Sequence, residues 1–228
     1  MSERCAPHRS DTGRLQAVQA RFAAFIGACF LALAGCGPRV VWYGKTPSRE
    51  HDVAVLSNGD GQWVKVDARE GNKSRGVGVD ALKFSPSGEY LAYPSQQADG
   101  WKVEVFSVSN LPLPGWNFKA YDGVGALVWS EDSRHLACAV EEKGRWRVVL
   151  DGKEQPSVES IRARSLILSA EGDHLVYAAD EDGAVVVIVD GVKSLRYQSV
   201  ARLTLSKQGK VALSPAKKMG RRALWWTV

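Results

Sequence analysis

Leu82-Lys83-Phe84-Ser85-Pro86-Ser87-Gly88 returns three more times along the chain. The further copies are Leu127-Val128-Trp129-Ser130-Glu131-Asp132-Ser133, Leu166-Ile167-Leu168-Ser169-Ala170-Glu171-Gly172 and Leu203-Thr204-Leu205-Ser206-Lys207-Gln208-Gly209. The aligned serines lie 45, 39 and 37 residues apart. Each copy has Leu three positions before the serine, a large apolar residue one before it, and Gly or Ser three after it. Apolar residues two apart point to one face of a strand, and the polar stretch behind them has the composition of a tight turn. A second strand follows each turn: Tyr90–Tyr93, His135–Val140, His174–Ala179 and Lys210–Leu213. A third comes after another polar turn: Trp101–Phe106, Trp146–Leu150, Val185–Val189 and Ala223–Thr227. An earlier pair, Val53–Leu56 and Trp63–Val66 around Asn58-Gly59-Asp60-Gly61, reads as the same two strands of a first unit, making five units.

Repeats of roughly 40 residues, each a small antiparallel meander, are the signature of β-propeller blades. The expected fold class is therefore all-β, a small β-propeller of about five blades, incomplete or closed by an N-terminal strand. The serine-centred pattern resembles the WD40-like (PD40-type) repeats of TolB-like propellers, whose strands often read Phe-Ser-Pro-Asp-Gly. Ser85-Pro86-Ser87-Gly88 is the nearest copy, with Ser where Asp is commonest. The endings Val149-Leu150-Asp151-Gly152-Lys153 and Val189-Asp190-Gly191-Val192-Lys193 also fit that group. The resemblance covers residues 51–228. It implies the fold and protein partners, and says little more about function. The last unit ends just after its third strand, and Val40–Tyr43 is expected to pair with the first or final unit and help close the ring. The alternative is an open arc of blades that requires a partner.

The N-terminus carries a second resemblance. Leu33-Ala34-Gly35-Cys36 ends an uncharged run, Phe22–Ala34, that follows Arg21. The run falls short of the roughly 20 apolar residues that span a bilayer, and its order of charge, apolar stretch and small residues is that of a secretory signal. The tetrapeptide resembles the lipobox of bacterial lipoproteins. This implies cleavage before Cys36, lipidation of that cysteine, and recognition of Leu33, Ala34 and Gly35 by the signal peptidase. Gly37, rather than Asp, follows the cysteine, which in a diderm organism implies an outer-membrane protein facing the periplasm. The 21 residues before the run include Glu3 and Asp11, unusual for an n-region, and a true start near Val18 would explain them. The expected organisation is a signal peptide over 1–35, a lipidated tether with a closing strand over 36–50, and the repeat domain over 51–228.

Composition bounds the chemistry. The net charge is +5 over 228 residues, of which residues 1–35 hold +2 (four Arg against Glu3 and Asp11). The remaining +3 is too mild to argue for nucleic acid. With Cys36 lipidated, Cys138 is left without an intramolecular partner and reads as a buried inert thiol. His135 and His174 share a repeat slot with Tyr90 and Lys210, so that slot is a strand edge rather than a ligand position. No His-x-x-His, Cys-x-x-Cys or Gly-x-Ser-x-Gly spacing occurs, and neither metal nor cofactor is expected. Lys217-Lys218-Met219-Gly220-Arg221-Arg222 occupies a hairpin-turn position and reads as solvated.

Trp63, Trp101 and Trp146 open the third strands of the first three units, and Trp116 lies in the longest connection, Ser109–Val124. These four are the candidate partner-binding residues, because binding loops cluster on propeller faces and Trp is favoured at interfaces. The expected function is a membrane-anchored envelope lipoprotein whose propeller is a non-enzymatic protein-binding or scaffolding module. The rival is a glycan-binding or glycan-cleaving propeller, which would place two or more carboxylates around the ring axis. An axis of apolar or mixed residues, with Trp packed between blades, favours the scaffold.

Overall fold

Strong β-formers and period-two patterning put nearly every repeated segment into strand. The computed structural model describes residues 37–206 together with the strand Val211–Lys218. The lipobox residues Leu33, Ala34, Gly35 and Cys36 lie outside the described residues, as do residues 219–228.

The first sheet comprises β1 (Arg39–Lys45), β2 (Asp52–Asn58), β3 (Gly61–Val66) and β4 (Arg69–Glu70), in sequential order. In the second sheet, β5 (Gly76–Val77) and β6 (Lys83–Phe84) both pair with β7 (Tyr90–Gln97), whose other edge holds β8 (Gly100–Ser107). β5 and β6 are thus one inner strand broken by a 3-10 turn at Val79–Ala81. The third sheet runs β9 (Gly123–Trp129), β10 (Leu136–Glu142), β11 (Arg145–Leu150) and β12 (Lys153–Glu154). In the fourth, β13 (Ser160–Ile161) and β14 (Ile167–Leu168) form another broken inner strand along β15 (Leu175–Glu181). It continues through β16 (Ala184–Val189), β17 (Val192–Leu205) and β18 (Val211–Lys218). All of the pairings are antiparallel.

The sheets stack face to face, and the core lies between them. Val53, Val64, Leu91 and Tyr93 fill the space between the first two. Ala92, Val103, Leu127, Cys138 and Val149 fill the next, and Ala137, Val148, Leu175, Tyr177 and Ile188 the third. Neighbours in β10 divide accordingly: Ala137 faces the fourth sheet and Cys138 the second, as strand alternation requires. A sheet buried on both faces needs an unbroken apolar run, which is why Leu136–Val140 carries no polar residue. Each such Val or Leu contributes roughly 1.5–3 kcal/mol by leaving water. Stacked four-stranded meanders of this kind are the blades of a β-propeller.

Four of the five expected units have sheets of their own. The last copy instead ends β17, a continuous strand of 14 residues, with Leu203-Thr204-Leu205 inside the strand and Ser206 just beyond it. β17 pairs with β16 through Val192–Tyr197 and with β18 through Tyr197–Leu205, so the last hairpin extends the fourth sheet. The physical reason is visible in the connection. Residues 192–205 contain no Gly or Pro, whereas the earlier inter-blade segments carry Gly71 and Gly76, Pro112 and Pro114, or Pro156. Nothing breaks the strand, so it continues. Val40–Tyr43 belongs to β1, the first strand of the first sheet. Among the described residues, no strand of that sheet pairs with the fourth.

Candidate functional site

The serine turn is the most regular feature of the molecule, and it has a copy that the sequence pattern concealed. Thr46-Pro47-Ser48-Arg49-Glu50-His51 matches Ser85-Pro86-Ser87-Gly88-Glu89-Tyr90, with Thr for Ser and Arg for Gly. In the four copies, the side-chain oxygen of Thr46, Ser85, Ser130 or Ser169 accepts a hydrogen bond from the backbone N–H five residues on, at 3.3, 3.1, 3.0 and 3.0 Å. The residue three after it has positive φ in each: Arg49 63°, Gly88 77°, Ser133 65° and Gly172 79°. Gly is the easy choice there, and the turn is regular enough to hold Arg and Ser as well.

The histidine slot is a clasp. His51, His135 and His174 place Nδ1 at 2.6, 2.6 and 2.8 Å from Oδ2 of Asp67, Asp151 and Asp190. The other carboxylate oxygen of each Asp accepts the N–H of Asp52, Leu136 or Leu175. Each pair ties the start of a blade's second strand to the end of its third. In the second sheet the same places hold Tyr90 and Phe106; Tyr90 stacks on Trp129 and Arg69 lies over Phe106. The constant 16-residue spacing of His and Asp was the signal in the sequence that would have found these pairs.

The tryptophans separate into two groups. Trp101 and Trp146 occupy one slot, each bridged to the following inter-blade segment, at Tyr121 and Val158. The equivalent residue in the first sheet is Gln62, bridged to Ser74, so Trp63 sits one residue further along and faces the opposite side. It is buried against Ala54 and Leu56, with Lys73 over its ring. Trp146 packs across Gly125, where a Cβ would lie 3.1 Å from the ring. Trp116 is half-buried against Trp129 and Phe118, at centroid distances of 5.9 and 6.5 Å.

The connection containing Trp116 has no regular secondary structure over residues 108–120, yet it is pinned at both ends. Val108 and Phe118 are buried, and the Tyr90 hydroxyl donates to the Pro112 carbonyl. Between the anchors, Leu111 and Leu113 are 38% and 56% exposed. Beyond them, Lys119 bridges Glu142 and Glu154 at 2.8 and 2.9 Å, and Arg147 bonds to both carboxylates. Lys119, and then the Tyr121 hydroxyl, hold Glu154 below the usual glutamate range. A general acid of glycoside hydrolysis needs the opposite shift. Burial pushes the Cys138 thiol up, as expected of an inert core cysteine.

Two clefts open where the inner strands of successive sheets meet. One, of about 640 Å³, lies between the second and third sheets and includes Asp80, Lys83, Phe84, Gly125 and Trp129. The other, of about 800 Å³, is enclosed by the break in the fourth inner strand and by β17. Arg164 lines both. The charged residues of the larger cleft are Arg162, Arg164, Arg202 and Asp180, a cationic rather than an acidic lining. Among the described residues no cluster of His, Cys, Asp and Glu has the arrangement of a metal site.

This geometry defines an all-β propeller with blade-spanning clasps and a cationic inner cleft. No protein-family model and no curated protein sequence matches the chain. Solved structures similar to it are propellers. TolB from Acinetobacter baumannii is 15% identical over 83% of this chain and 49% of that one, with TM-score 0.41. The β-propeller domain of Cps50 (Swd1) from Myceliophteria thermophila is 16% identical over 80% and 64%, with TM-score 0.43. The Dos1 propeller is 10% identical over 81% and 54%, with TM-score 0.45. The chain spans about half to two-thirds of the length of these structures. Similarity at this level concerns the fold alone.

Proposed function

We propose that this chain is a lipid-anchored protein of the bacterial cell envelope whose propeller serves as a non-enzymatic protein-binding or scaffolding module. The observation that carries the binding role is the connection over residues 108–120. A rigid scaffold pins it at both ends while Leu111 and Leu113 stand in solvent beside Trp116. Binding residues concentrate on loops positioned in this way. Anchoring rests on the lipobox resemblance of Leu33-Ala34-Gly35-Cys36, and with it the expected place on a periplasm-facing outer membrane. The glycan reading called for carboxylates converging on the axis. The inner clefts set Asp80 and Asp180 against Lys83, Arg162, Arg164 and Arg202, a lining cationic on balance, and Trp63 is packed in the core.

The test is a pull-down from envelope extract with the intact protein, a Cys36→Ala control and a Leu113→Ser/Trp116→Ala variant, beside a glycan-binding panel. A stoichiometric protein partner lost in the loop variant supports the reading. Glycan binding without a protein partner overturns it. Metabolic labelling with a radioactive fatty acid tests the anchor separately, and label that survives Cys36→Ala would refute it.

A further inference from the structure

The larger inner cleft carries an inference that is independent of any protein bound by the loop. We propose that it is a binding site for a phosphoryl group, held by Arg162, Arg164 and Arg202. Arg162 is already oriented: its Nε and Nη2 donate to Asp180 Oδ1 at 2.9 and 2.7 Å. Ser160 occupies the other oxygen of Asp180 at 2.8 Å. Asp180 is thereby spent on its neighbours, and Nη1 of Arg162 keeps its hydrogens. Arg164 and Arg202 have no acidic partner among the described residues, although Lys193 and Arg196 on β17 pair with Glu181 and Asp182. The lining therefore has three guanidinium groups against one carboxylate, a net charge of +2.

The repeat shows that the fold does not require these arginines. Counting back from the turn serine, the position of Arg164 is held by Asp80 in the second blade and Gly125 in the third. Arg202 stands where those blades and the fourth have Ala81, Ala126 and Ser165. Asp80 shows that the slot needs no basic side chain, whereas Gly125 is selected by the Trp146 ring packed across it. Arg164 also sits at φ 61°, where glycine would be easier. Planar guanidinium forks match the tetrahedral oxygens of a phosphoryl group and bind them through charge-assisted bonds. The volume of about 800 Å³ is in the range of small-molecule sites. Ala163, Ala178, Val200 and Leu203 provide apolar wall for the organic part of a phosphate ester. Two sources present this chemistry, a soluble phosphate ester and a phospholipid headgroup.

The experiment is calorimetric titration of the full chain carrying Cys36→Ala, so that no acyl chain contributes, with pyrophosphate at matched ionic strength. Saturable binding is expected. Arg164→Gln and Arg202→Gln should each weaken it about tenfold, as loss of one charge-assisted bond predicts, and the double variant should abolish it. Arg49→Gln, a remote arginine also at positive φ, should leave it unchanged. Arg202→Gln tests the site outside the strained turn should the Arg164 variant misfold. The proposal is overturned if pyrophosphate behaves like sodium chloride, or if binding survives the double variant. In a parallel arm, vesicles of phosphatidylcholine with phosphatidic acid are compared with phosphatidylcholine alone. Retention that requires the two arginines identifies a headgroup. Saturable pyrophosphate binding without retention identifies a soluble ester, and retention indifferent to the arginines counts against the site.

Discussion

The two ends of the inner strands obey different rules. At the turn end, Thr46, Ser85, Ser130 and Ser169 each accept the N–H five residues on in the four described turns, and Arg49, Gly88, Ser133 and Gly172 all take positive φ. At the opposite end, the equivalent slot holds Asp80, Gly125 and Arg164. The turn end satisfies buried backbone groups, and that need is identical in every blade. The other end faces open clefts, where packing selects Gly125 under the Trp146 ring but imposes no residue common to the blades. Uniformity thus marks what the fold requires, and divergence marks where a ligand can be accommodated.

Substitutions at the two ends should therefore differ in cost. The largest loss is expected for Gly172→Ala. Its Cβ would come within 2.2 Å of the His135 ring, on a backbone at φ 79°. Strain and overpacking together predict about 3 kcal/mol, read as a lower urea midpoint; a loss below about 0.5 kcal/mol would remove the turn from the fold's requirements. Ser130→Ala should cost about 2 kcal/mol, because the His135 N–H loses the buried Ser130 hydroxyl as its acceptor.

His135→Ala comes next, at about 1 kcal/mol for a half-exposed clasp. The double variant His135→Tyr/Asp151→Phe, which copies Tyr90 and Phe106, should recover part of that loss. No recovery would mean that the second blade depends on its own neighbours rather than on the slot.

Glu154 gives a pH-dependent test on the outer edge. Its folded pKa lies below the ordinary value, so its contribution is complete above the unfolded pKa, about 4.3, and disappears as pH falls through the folded one. Wild type should lose stability more steeply than Glu154→Gln as acid denaturation proceeds below about pH 4.3. Parallel curves would mean that the Lys119 bridge contributes nothing. The smallest effect is expected at the divergent end: Arg164→Gly should leave the unfolding midpoint within about 0.5 kcal/mol, relief of strain offsetting the looser unfolded chain. A large loss there would erase the distinction between the two ends.

The sequence pattern placed the serine turns and the strands of the second, third and fourth blades, because turn chemistry and two-residue alternation act over a few neighbours. It missed the first turn, where Thr46 and Arg49 replace Ser and Gly and geometry alone reveals the equivalence. It also grouped Trp63 with Trp101 and Trp146. A shift of one residue is slight along the chain but reverses the face of a strand.

What local patterning established, then, is an all-β chain of repeated meanders with a buried inert Cys138, since propensity, period and turn residues all lie within a window of about ten residues. Three features emerged at the tertiary level. The last copy joined the fourth sheet because an unbroken β17 could pair on both edges. The His–Asp clasps closed because antiparallel pairing brings residues 16 apart together. Arg162 and Arg164 met Arg202 because the second half of β17 packs beside the fourth sheet and its broken inner strand. Pairing register and the stacking of sheets determine such meetings, and neither is written in the local composition of any one segment.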